Sequence, residues 1–141
     1  VHVFSATGEL LRTHSPALYA NWVRADDADP TSAGTIFVGG RLSRGGEAVV
    51  MLSADGHVRW TAKMPEGHTL QSMASTRRWL AVGTRQGMVL VIDKETGKTV
   101  ASDSSRGSKP EVAWVGAPDG TISLLVVASD GGVFALQISA D

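Results

Sequence analysis

Between Leu80 and Val100 the chain reads LAVGTRQGMVLVIDKETGKTV, the most regular alternation of apolar and polar stretches in the sequence. Apolar residues at Leu80 and Val82, the polar loop Thr84-Arg85-Gln86-Gly87 and the apolar run Met88 to Ile92 predict two short strands around a Gly-containing loop. A second turn, Lys94-Glu95-Thr96-Gly97, launches a third strand. Short apolar runs bounded by Gly, Asp and Thr recur along the chain, and helical periodicity is nowhere sustained. The pattern predicts an all-β protein.

The same pattern repeats. Setting Gly87 over Gly131 places TRQGMVLVI above ASDGGVFAL, 44 residues apart; setting Ile92 over Leu52 gives a spacing of 40, and Phe4 extends the series at 48. Such spacings suit repeats of four short antiparallel strands. In chain order they predict a strand pair over residues 1–15, a four-stranded unit over 17–63, a second over 68–102 and an incomplete unit over 111–139. Pro16, Pro65 and Pro110 each precede the opening strand of a unit, where a missing N–H costs nothing.

VGTRQGMVLVIDKETGKTV, with VVASDGGVFAL and VVMLSADGHVRW as variants, resembles the blades of quinoprotein-type (PQQ-like) and WD-repeat-like β-propellers. Val82, Gly83, Thr84, Gly87, Asp93, Thr96 and Gly97 stand at the places of that blade pattern, and Gly56 with Trp60 keeps its closing Gly-x-x-x-Trp. The resemblance implies β-propeller blades, in a partial ring or one completed by oligomerisation. It also implies that Trp60 is buried between neighbouring blades. The sequence departs from the pattern where Ser102 or its neighbours stand in place of the tryptophan in the second unit and His14 in the leading hairpin, so a ring of docking tryptophans is not expected.

Composition narrows the function. The chain has 141 residues, 43% of them hydrophobic, enough for one domain with its own core. Thirteen basic against fourteen acidic residues leave a net charge of −1, which argues against a nucleic-acid surface. The absence of cysteine excludes disulfides and thiolate chemistry. No apolar run is long enough for a membrane-spanning helix, so a soluble chain is expected, with its compartment open. The opening on Val1 in a strand-like run is expected of a processed or excised segment.

Candidate chemistry is sparse. Asp27 and Asp29, in the run Ala25-Asp26-Asp27-Ala28-Asp29 before the strand at Thr35, resemble the calcium loop of integrin-like repeats; the competing reading is a solvated acidic loop, because Pro30, Thr31 and Ser32 replace further ligands. His2, His14, His57 and His68 never stand at metal-ligand spacing. No nucleophile-elbow sequence and no glycine-rich loop leading into a helix is found. Arg77, Arg78 and Trp79, with Arg85 across the hairpin, form a basic set with an aromatic that could stack on a base, hold a phosphate or meet a partner; the alternative is a solvated turn with Trp79 packed inward.

Two function classes follow. The first is a non-enzymatic interaction or scaffold module, binding a protein partner, further copies of itself or further blades of a larger chain, with no cofactor beyond a possible Ca²⁺. The second is the ligand- or cofactor-binding portion of a quinoprotein-like enzyme, with Asn21, Arg24, Gln71 and Ser72 facing a central channel. Neutral charge and the lack of a catalytic constellation favour the first.

Overall fold

The computed structural model describes residues 1–4, 6–16, 18–26, 34–104, 107–116 and 123–138. Thirteen strands form among them: β1 (His2–Phe4), β2 (Leu10–Thr13), β3 (Leu18–Ala25), β4 (Ile36–Leu42), β5 (Glu47–Leu52), β6 (Val58–Lys63), β7 (Leu70–Ser75), β8 (Trp79–Thr84), β9 (Val89–Asp93), β10 (Thr99–Asp103), β11 (Glu111–Gly116), β12 (Ser123–Ser129) and β13 (Gly132–Gln137). Every pairing is between consecutive strands of the chain and antiparallel. The sheets are β1-β2, β3-β4-β5-β6, β7-β8-β9-β10 and β11-β12-β13. Among the described residues no helix is long and apolar enough to cross a membrane.

The core lies between sheets, and the strand period of two explains how one sheet serves two interfaces. Leu80, Val82, Leu90 and Ile92 point one way and pack with Phe37, Val49, Met51 and Ala62 of the preceding sheet. Their alternates Trp79, Ala81, Val89 and Val91 point the other way, onto Leu125 and Val127 of the following sheet. A third, smaller cluster of Val38, Val50 and Leu52 receives Val1 of the leading hairpin. The middle strands β8 and β9 are therefore buried on both faces and read as continuous apolar runs.

Close stacking needs gaps in side-chain volume. At Gly83 an added Cβ would lie 2.6 Å from both the Pro110 carbonyl oxygen and Ser72 Oγ, so the approach of β11 to β7 depends on that glycine. Ser72 Oγ donates to this same Pro110 carbonyl at 2.7 Å. Ser72 is buried in the joint and does not face a channel, which corrects the expectation for this residue.

Candidate functional site

The joint between the sheets β3–β6 and β7–β10 is built around the β9–β10 turn. Trp60, on β6, directs its indole to that turn: Nε1 donates to the Lys94 carbonyl at 2.8 Å. The ring lies 6.1 Å from Phe37, centroid to centroid. Gly97, at φ 71°, leaves it room, since a Cβ there would sit 2.6 Å from Trp60 Cγ. Trp60 is half-buried between the two sheets. Lys94 reaches back across the same joint, with Nζ 2.5 Å from Asp26 Oδ2 in a fully buried pair and donating to the Thr76 carbonyl at 2.7 Å. It also lies 5.8 Å over the Phe37 ring.

The leading hairpin repeats the arrangement with a different ring. His14 rests against Gly56, the turn glycine of β3–β6, as Trp60 rests against Gly97. The following joint does not repeat it. Met51 pairs with Trp60 and Val91 with Ala101, and Phe37 pairs with Met51 as Ala81 pairs with Val91. Phe37 and Trp60 are thus replaced by Ala81 and Ala101. A cleft of about 180 Å³ remains there, lined by Val89, Val91, Ala101, Leu136 and Ile138 among others. Trp114 of β11 supplies the cross-link instead, donating from Nε1 to the Ala74 carbonyl at 3.0 Å.

The residues singled out by sequence fall in different places. Asp27 and Asp29 lie outside the described residues. Arg78 stacks over Trp79 at 4.3 Å and sits 3.9 Å from Asp93 Oδ2. Trp79 itself is buried against Ala81, Val89 and Val91, so it offers no open ring to a ligand. Arg77 is exposed beside them. Arg85 does not belong to this group. It follows β8 whereas Arg77 and Arg78 precede it, and six strand residues separate the two ends by about 20 Å. Arg85 instead lines a cleft of about 310 Å³ with Asn21, Trp22, Glu47, Thr69 and Leu70. Gln71 donates to Glu111 at 2.9 Å, and Arg24 is exposed on β3.

Titration is shaped by turns. Partial burial pushes the Asp93 carboxyl up, but the backbone N–H and hydroxyl of Thr96, with Arg78 nearby, outweigh it and hold the group below its ordinary value. The Ser53 hydroxyl lowers Asp55, and the hydroxyl and N–H of Ser108 lower Asp130. Each acts to close a loop. Among the described residues no three His, Cys, Asp or Glu side chains converge as metal ligands.

No protein-family model and no curated protein matches the chain by sequence. Solved structures do match. BamB from Moraxella catarrhalis superposes over 94% of this chain with a TM-score of 0.61 at 16% identity. The β-propeller domain of Myceliophteria thermophila Cps50 (Swd1) superposes over 90% with a TM-score of 0.59 at 12% identity. The sheets are β-propeller blades. The chain spans 35% of the first of those proteins and 41% of the second. Within the propeller the missed residues are Asp26 and Lys94. Asp26 stood in the acidic run and Lys94 in the turn of the Asp-Lys-Glu-Thr-Gly motif, but their pairing crosses a blade joint that no local pattern reveals.

Proposed function

We propose that this propeller segment is a non-enzymatic interaction module, which presents blade surfaces and loop ends to a protein partner, to further copies of itself or to further blades of a larger chain. The observation that carries the reading is on β3. Tyr19 is 71% exposed, Val23 57% and Trp22 36%, three exposed apolar or aromatic residues within five positions of one strand, two of them aromatic. Aromatic side chains held on a rigid strand are the usual anchors of protein interfaces. The carboxylates with lowered pKa are consistent with this reading, because Asp55, Asp93 and Asp130 are each occupied in closing a turn.

Addition of PQQ with millimolar Ca²⁺ tests the reading against the cofactor-binding and calcium-loop alternatives. The interaction module predicts an unchanged cofactor absorbance spectrum and an unchanged melting temperature, since a ligand that binds only the folded state would raise it. A saturable spectral change would overturn it in favour of a quinoprotein-like site. A rise of several degrees with Ca²⁺ alone, lost in Asp27→Asn, would overturn it in favour of the calcium loop.

A further inference from the structure

The cleft that holds Arg85 lies where the end of β8 and the start of β7 meet β3 and β5 of the preceding blade, and its walls are shaped by a fault in the β3 ladder. Ala20 pairs with Gly40 and Trp22 with Gly39, so Asn21 is the extra residue of a bulge, without a partner in the register. The bulge re-aims the two neighbouring side chains, and Asn21 and Trp22 both line the cleft.

Several polar groups around it are already engaged. Glu47 accepts the Leu70 N–H at 2.5 Å, the Thr69 N–H donates to Gln86 at 2.8 Å, and the Thr69 carbonyl accepts the Arg85 N–H at 2.8 Å. The Arg85 guanidinium, the Asn21 carboxamide and the Trp22 indole N–H make no hydrogen bond or ion pair among the described residues. Three sets of donors and one partly exposed aromatic ring therefore line one concave surface, on elements fixed by blade packing. A volume of about 310 Å³ suits one side chain with its flanking backbone, at the lower end of the range for ligand clefts.

We propose that this cleft receives an acidic side chain presented on an extended peptide segment of a partner protein. The guanidinium fork of Arg85 matches a carboxylate in two parallel hydrogen bonds. Asn21 and the Trp22 N–H then serve the flanking peptide carbonyls, while the Trp22 ring covers the methylenes. Glu47, held by the Leu70 N–H, opposes any anion in the cleft, and a phosphate dianion more than a single carboxylate, so it weights the site toward the weaker charge. The basic-aromatic chemistry sought at Arg78 and Trp79 is thus assembled from Arg85 and Trp22, on two adjacent blades. The proposal rests on the interaction-module reading and names the partner chemistry of one of its surfaces.

Nitrogen-15 NMR of the whole chain tests it, with the Trp22 indole N–H and the Arg85 Nε–H as reporters. N-acetyl-glutamate amide, its glutamine counterpart and inorganic phosphate are the three probes. The glutamate compound should shift both signals saturably in the millimolar range, with the glutamine compound weaker by about tenfold or more. Arg85→Gln should abolish the Trp22 shift and leave the melting temperature unchanged, because the side chain is exposed; Arg85→Lys should retain only part of the affinity. A Trp22 signal that does not move, an equal response to glutamine, a shift that survives in Arg85→Gln, or phosphate matching glutamate would each overturn the proposal. Those outcomes leave the PQQ and Ca²⁺ titrations untouched, so failure of the site and failure of the interaction-module reading are separable.

Discussion

Lys94 joins two blades through both its backbone and its side chain. Its carbonyl accepts from Trp60 and its ammonium is buried against Asp26. A buried pair of this kind contributes little net stability compared with apolar residues, yet removal of one partner leaves a charge without compensation. Lys94→Ala should therefore destabilise the chain by about 3–5 kcal/mol in urea unfolding, whereas Asp26→Leu combined with Lys94→Met should recover most of that loss. Equal destabilisation in the single and double variants would show that the pair does not act as a unit. At Asp93 the linkage runs through pH. Its folded-state pKa lies below the ordinary value of 3.8, so its contribution is present in full above that value and is lost as pH falls through the lower folded value. Melting temperature should fall below about pH 4, and Asp93→Asn should make that acid limb shallower. An unchanged limb would assign the acid sensitivity to other carboxylates.

At the scale of the strand, what the sequence made legible was whatever is local. The hairpin through Gly87 and the turn at Gly97 announce β8, β9 and β10, because apolar runs and φ-positive glycines are both written in consecutive residues. The Gly-x-x-x-Trp spacing likewise pointed Trp60 toward a blade joint. Its counterpart was less legible: Ser102 or its neighbours stood there by pattern, and the register places Ala101 opposite Val91 after a bulge at Val100. Beyond Trp60, the pairings across the joints were not legible. Asp26 with Lys94, and Trp22 with Arg85, meet only because adjacent blades stack, and stacking depends on sheet geometry that no local periodicity encodes. The same register makes a paired prediction. Trp60→Ala should cost about 3 kcal/mol, the lower part of the range for buried aromatics because the ring is half-exposed. Ala101→Trp should instead raise the melting temperature by filling the 180 Å³ cleft. A fall with Ala101→Trp would show that the cleft cannot take the ring, and that the two joints differ in shape as well as in side chains.

At the scale of the molecule, the arc is held by apolar clusters between successive sheets, with the hairpin β1-β2 at one end and the three-stranded sheet at the other. β13 is hydrogen-bonded on the β12 side, and Val133 upon it is 74% exposed. Strand edges and apolar residues presented together recruit further strands, and propellers commonly remove such edges by closing into a ring of four to eight blades. The interaction-module account therefore holds that the isolated chain associates through its blade surfaces, and sedimentation equilibrium over a wide concentration range tests this most directly. The account predicts a mass above the 14.8 kDa of one chain, with a melting temperature that rises with protein concentration. A single 14.8 kDa species whose cooperative melt does not depend on concentration would contradict it.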